Sequence, residues 1–338
     1  MDLEQLPKIL SQEPPFRLKQ AQSAIYQNLL ENWTEATVFS LPLREKLTAA
    51  CPLKIDAQIL TANDQQTVKA VLKLADGKQI ETVLMKHQTR RTVCLSCQVG
   101  CPLACTFCAT GQAGFTRNLT VSEMVAQVLL MARLLKKQGE KVTNLVFMGM
   151  GEPFLNYDNV LAAIRILNDH DGFNLGARHI SISTAGITEG IRKLAKEKLQ
   201  VNLAVSLHAP NDQLRKKIMP VAWQYPLARI FQAVDDYIEQ TNRQVMFEYL
   251  MIKDVNDSAA EARQLVGLMN KPLYLVNLIT YNPTGDFDPS TQATINKFQD
   301  ILMQAGIKVT RRYRFGRGIK AGCGQLAVPP ASPERVTK

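Results

Sequence analysis

From residue 122 onward, long stretches whose apolar positions recur every three or four residues alternate with short runs of β-branched and aliphatic residues. The runs 143–150 (TNLVFMGM), 179–184 (HISIST), 201–207 (VNLAVSL), 244–252 (QVMFEYLMI), 274–280 (YLVNLIT) and 308–314 (KVTRRYR) read as strands. The stretches 122–137, 159–169, 226–240, 258–269 and 294–305 read as amphipathic helices between them. TVCLS, near residue 94, adds a first strand. Alternation of this kind predicts a parallel α/β sheet, open or curled into a barrel, of six or seven units. That is short of the eight in a complete barrel.

Before residue 86 the pattern changes. Segments 15–33 and 41–50 are helical, DAQILTA (56–62) alternates, and ADGK separates TVKAVLKL from QIETVLM as a hairpin turn would. We expect a small α+β domain over 1–86, a core domain over 87–326, and a disordered Pro-rich tail over 327–338. The N-terminus MDLEQLPKIL lacks the basic and apolar regions of a signal peptide, and no apolar run approaches the roughly 20 residues of a membrane span. The expectation is a cytoplasmic chain without membrane association.

Charge narrows the class of partner. The formal net charge is +10, yet residues 1–90 hold 11 Lys/Arg against 10 Asp/Glu, so the excess lies in the core and the first segment is a poor electrostatic anchor. The run KVTRRYRFGRGIK (308–320) has six basic residues, no acid, and the rings of Tyr313 and Phe315. Cations for phosphates and rings for bases make an RNA-binding footprint; a solvated basic strand is the plainer reading.

Residues 94–115, CLSCQVGCPLACTFCATGQAGF, hold five of the seven cysteines. A 338-residue chain can bury its own core without disulfides, so clustered thiols point to metal or catalysis. Two arrangements fit. Cys94, Cys97, Cys105 and Cys108 form two CxxC knuckles suited to zinc, leaving Cys101 unused. Cys101, Cys105 and Cys108 instead suit three corners of a [4Fe–4S] cluster, leaving one iron open for chemistry.

The stretch Cys101-x3-Cys105-x-Phe107-Cys108 resembles the signature of radical S-adenosylmethionine (SAM) enzymes, and CLSCQVGCPLACTFCATGQAGFTRNLT is similar to the RlmN/Cfr family of ribosomal RNA adenine methyltransferases. The likeness runs from PFRLKQAQSAIYQNL to GCGQL at 322–326. It implies a partial (β/α)6-type radical SAM barrel, with Cys101, Cys105 and Cys108 holding a [4Fe–4S] cluster. It places SAM contacts at Gly151 and Glu152 of MGMGEP, and at Ser183, Ser206, Leu207, His208 and Asn282, each beside a strand-like run. Cys323 takes the position of the methyl-accepting cysteine, Cys94 that of a resolving thiol forming a transient disulfide with it, and Glu81 that of a proton acceptor. Two SAM molecules per turnover, a flavodoxin or ferredoxin as electron donor, and ribosomal RNA with transfer RNA as a further substrate complete what the family implies. Basic Arg90 and Arg91 would assist the Cys94 thiolate.

Two positions depart from the family pattern: Cys97, where Ser or Thr is usual, and Gly318, where an acid is usual. Within the family, QVGC and PVAWQYPL favour RlmN-like methylation of adenine carbon 2, whereas the Phe-Gly of YRFGRG is shared with Cfr-like enzymes, which methylate carbon 8 and confer antibiotic resistance. A zinc-stabilised RNA-binding module without catalysis is the alternative of a different class. Cys51 reads as structural, and His87, His170 and His179 carry no motif.

Overall fold

Alternation over residues 57–94 produces four antiparallel strands: β1 (Ala57–Thr61), β2 (Thr67–Lys73), β3 (Gln79–His87) and β4 (Arg90–Cys94). The β2–β3 turn closes where expected, with Gly77 at φ +80° and Asp76 accepting from the Lys78 amide. The structure, a computed structural model, describes residues 3–316 and 318–327. The tail expected to be disordered lies outside those residues, apart from Ala327.

After β4 the chain forms a separate two-stranded ribbon, β5 (Gln98–Gly100) with β6 (Phe115–Asn118), which brackets the loop carrying Cys101, Cys105 and Cys108. It then enters the main alternation: β7 (Asn144–Phe147), β8 (Ile180–Thr184), β9 (Asn202–Ser206), β10 (Val245–Met251), β11 (Tyr274–Thr280) and β12 (Val309–Arg311). β4 pairs parallel with β7, and each later strand pairs parallel with the one before it. The result is one ten-stranded sheet in the order β1-β2-β3-β4-β7-β8-β9-β10-β11-β12. The expected boundary at 86/87 falls at the β3–β4 hairpin, inside this sheet.

The helices cover the sheet because their apolar faces have nowhere else to go. Val121–Lys136 starts at a capping box, with Thr120 Oγ1 accepting from the Glu123 amide and Glu123 Oε2 accepting from the Thr120 amide. Its Met124, Val125, Val128, Leu129, Met131 and Leu135 are buried. A continuous apolar core runs from Leu3 to Leu326, so residues of the first segment share it with the parallel strands. Among the described residues, no helix is long and apolar enough to cross a membrane.

Candidate active site

In a parallel sheet the carboxyl ends of successive strands open on one rim, and residues that end them converge there. β7 is followed by Met148–Glu152, β8 ends near Ser183, β9 runs into Ser206–His208, and β10 contributes Glu248. Gly149 and Gly151 let the first of these turns lie against the cysteine segment. A Cβ at Gly149 would stand 2.7 Å from the Leu95 carbonyl oxygen, and one at Gly151, with φ +100°, 2.5 Å from Gln98 Cβ. The buried Arg215 guanidinium ties the rim together, donating to the carbonyls of Ala185, Leu207 and Tyr225 at 2.6, 3.1 and 3.0 Å.

A cavity of about 160 Å³ occupies this rim, lined by Cys101, Cys105 and Cys108 on one side and by Gly151, Glu152, Ser183, Ser206 and His208 on the other. Burial pushes the Cys101 thiol up to about 12, and it pushes Cys105 up as well, with the neighbouring thiols adding to the effect. Thiols held this way need a cation as soon as they ionise. Among the described residues, no three His, Cys, Asp or Glu side chains converge closely enough to hold a single metal ion. Three thiols on one cavity fit the three protein-held corners of a [4Fe–4S] cluster. The zinc reading also loses Cys94, which lines a different cavity.

Opposite the cysteines, burial raises Glu152 to about 7, although its oxygens accept from the amides of Ala185 (2.7 Å) and Phe154 (3.1 Å). His208, at φ +57°, accepts at Nδ1 from the Leu250 amide (3.1 Å), which leaves the proton on Nε2. Burial, with Arg215 and Arg312 nearby, lowers it to about 3, so the ring is neutral. Carboxylate, hydroxyls and imidazole facing three thiols make a polar wall able to hold an amino acid headgroup beside a cluster.

A second cavity, about 280 Å³, adjoins the first and shares Cys108, Met148, Gly149, Arg312 and Cys323 with it. Cys94 and Cys323 both line it. The Cys323 segment is pinned on several sides. The Ala109 amide donates to Gly324 O (2.8 Å), Thr110 Oγ1 to Leu326 O, Asn282 Nδ2 to Cys323 O (3.3 Å), and the Gly316 amide to Thr67 Oγ1 (3.0 Å). Arg312 reaches in from the end of β12. Its Nη1 donates to Cys323 Sγ at 3.2 Å, and its Nη2 to Glu248 Oε1 at 2.7 Å and Met148 Sδ at 3.3 Å.

The structure places most of the residues singled out in the sequence on these two cavities, with exceptions. Leu207 is fully buried and offers its backbone to Arg215 rather than its side chain to the cavity. Asn282 lines the Cys323 cavity and not the one bounded by Cys101 and Cys105. Glu81, expected as a proton acceptor, is buried and lines neither cavity. It pairs with Lys69 Nζ at 2.9 Å and accepts from the Ala327 amide at 3.0 Å, and burial raises its pKa despite both. Arg91 is occupied by Glu140 at 2.5 Å, so the cation that favours the Cys94 thiolate is Arg312. Burial and the neighbouring Cys323 still outweigh it and raise Cys94 to about 12. No disulfide joins any of the described cysteines; the Cys94–Cys323 bond implied by the family is absent, and both residues carry thiols.

Arg312, Glu248 and Arg215 were not legible as site residues, because one more arginine in a basic run and a carboxylate in an apolar strand carry no spacing signal. His87, which bore no motif, lines the Cys323 cavity too.

The sheet's parallel strands carry the three-cysteine loop at their rim, and residues 95–266 match the family model described as the radical SAM superfamily. A crystal structure of a radical SAM methyltransferase from Sphaerobacter thermophilus superposes with a TM-score of 0.93, at 43% identity, over 96% of this chain and 97% of that one. The "Probable dual-specificity RNA methyltransferase RlmN" of Dictyoglomus thermophilum is 44% identical over 330 residues, covering 96% of this chain and 94% of the relative. The "Ribosomal RNA large subunit methyltransferase N" of Nitrosopumilus maritimus is 47% identical over 275 residues, 79% of this chain and 78% of the relative. The chain belongs to the RlmN family of radical SAM RNA methyltransferases.

Proposed function

We propose that this enzyme methylates carbon 2 of adenosine in large-subunit ribosomal RNA, and in transfer RNA, through a methyl group carried on Cys323. The observation that carries this reading is the pair of thiols, Cys94 and Cys323, on one cavity that opens directly onto the cavity of the three-cysteine loop. Cys101, Cys105 and Cys108 would hold a [4Fe–4S] cluster, and Glu152, Ser183, Ser206 and His208 would hold SAM beside it. When bound, these groups supply methyl carbon, one-electron chemistry and a hydrogen-abstracting radical, with two SAM consumed per turnover and the electron delivered by a flavodoxin or ferredoxin.

The chain's own residues do the rest. Cys323 presents its sulfur to the cavity, aimed by the Arg312 donor at 3.2 Å. Arg312 is itself held by Glu248, which Asn277 Nδ2 steadies at 3.1 Å. Once RNA is linked to Cys323 through the transferred carbon, the ring must lose a proton and one electron; Glu81 is the proposed proton acceptor, and the electron would return to the redox group held by the three-cysteine loop. Its raised pKa suits a carboxylate that takes up a proton, and reaching the ring requires both the Lys69 ammonium and the Ala327 amide to release it. Cys94, after losing its thiol proton, then attacks the Cys323 sulfur: the sulfur–carbon bond breaks with its electron pair on the transferred carbon, that carbon takes up a proton to become the methyl group, the base departs, and an external dithiol reduces the Cys94–Cys323 disulfide.

Mass spectrometry of RNA nucleosides from cells with and without this gene tests the assignment. Loss of 2-methyladenosine is expected; loss of 8-methyladenosine instead would overturn the position. Cys323→Ala is expected to keep the cluster's colour and transfer no methyl group to RNA.

A further inference from the structure

β12 stops at Arg311, and residues 312–315 cross the Cys323 cavity without regular structure. Arg312 turns inward to the cysteine sulfur, which leaves Tyr313 and Phe315 at the mouth. There they meet His87, the last residue of β3. The ring centroids are 5.0 Å apart for His87 and Tyr313, 4.9 Å for Tyr313 and Phe315, and 6.0 Å for His87 and Phe315. All three rings line the same cavity as Cys94 and Cys323.

A ring cluster that served packing alone would be covered, yet Tyr313 is 55% exposed. Its inner side is braced by His87 and Phe315, so the outer face is held in place at little further entropic cost. Arg90 and Arg314 line the cavity beside it and give the mouth positive charge suited to phosphates. A rigid exposed aromatic face, flanked by cations, at the entrance to a cavity that works on a nucleobase is the arrangement that stacks an unpaired base.

We propose that His87, Tyr313 and Phe315 form a stacking platform for the nucleotide next to the target adenosine, holding the RNA strand open while the adenine enters the cavity. The platform rests on the reading of the chain as an RNA-modifying enzyme and adds the residues that engage the neighbouring base. It also accounts for a mouth built from two segments far apart in sequence, β3 and the residues after β12.

The test uses the full chain and a short unstructured RNA with 2-aminopurine beside its single adenosine, because stacking on a ring quenches that fluorophore. Titrating wild type is expected to quench the fluorescence. Tyr313→Leu should abolish the quench and weaken RNA binding roughly tenfold to a hundredfold, as loss of one base–ring stack does. Tyr313→Phe should restore both, which separates ring loss from misfolding. RNA with an abasic site in place of the 2-aminopurine should bind wild type and Tyr313→Leu equally. No quench with wild type, full quench with Tyr313→Leu, or an undiminished Tyr313→Leu defect on abasic RNA would each overturn the platform. Ring-dependent quenching by a protein that leaves cellular RNA unmethylated would support the platform and count against the enzymatic reading alone.

Discussion

Arg312 is one of six cations in a thirteen-residue run, and nothing in its spacing distinguishes it from Arg311 or Arg314. The end of β12 makes the distinction by turning that one side chain onto Cys323 and Glu248. Glu248 is only 3% exposed and Arg312 24%, so removing the arginine strands a buried carboxylate. Arg312→Met is expected to cost about 2–3 kcal/mol in urea denaturation, and adding Glu248→Gln should recover most of it. Methyl transfer should fall roughly tenfold to a hundredfold in the single variant, as expected for loss of a charge-assisted hydrogen bond. His208 gives a pH signature. Its pKa falls from 6.5 to about 3 on folding, so between those values the unfolded chain binds a proton that the folded chain refuses. Stability is therefore full above pH 6.5 and declines as pH falls, by up to about 1.4 kcal/mol per unit from this group. Melting curves from pH 7 to pH 5 should show that slope, and His208→Gln should flatten it.

At the scale of elements, every parallel strand expected from the apolar runs is present, and the cysteine spacing located the loop at the rim. Periodicity missed the β5–β6 ribbon, because strands of three and four residues are too short to establish alternation. It also read β12 too long, since the residues beyond Arg311 share its composition but leave the sheet to enter the cavity. The turn after β7 is the element most exposed to small changes. Gly149→Ala would drive a methyl group into the Leu95 carbonyl at 2.7 Å, and both sides of that contact are backbone. A loss of about 1–3 kcal/mol is expected, together with weaker SAM binding as Glu152 moves; chemical denaturation and equilibrium dialysis measure the two separately.

For the whole molecule, the sequence disclosed most of the strands and the β2–β3 hairpin but not that β3 pairs with β4. A hairpin-rich N-terminal segment followed by an α/β core could have been two separate bodies; instead β3 pairs with β4 and one sheet runs through both. Removing residues 1–86 would strip β4 of its antiparallel partner β3, leaving β7 on its other side, and expose an unpaired edge beside uncovered apolar core. Such a fragment is expected to elute as aggregates in size-exclusion chromatography, whereas an independent core domain would elute as a monomer. The Cys323 segment depends on the same region, through Thr67, Lys69 and Glu81. Those contacts form late in synthesis, because their two sides lie about 250 residues apart along the chain. The three-cysteine loop is synthesised before the segment bearing Cys323, which supplies the last part of the lining of both cavities. The loop is thus made while the segment that will pack beside it is still to come. The lining closes only when that last stretch docks, so a chain that stalled short of it would keep Cys101, Cys105 and Cys108 but lack Cys323, the proposed methyl carrier.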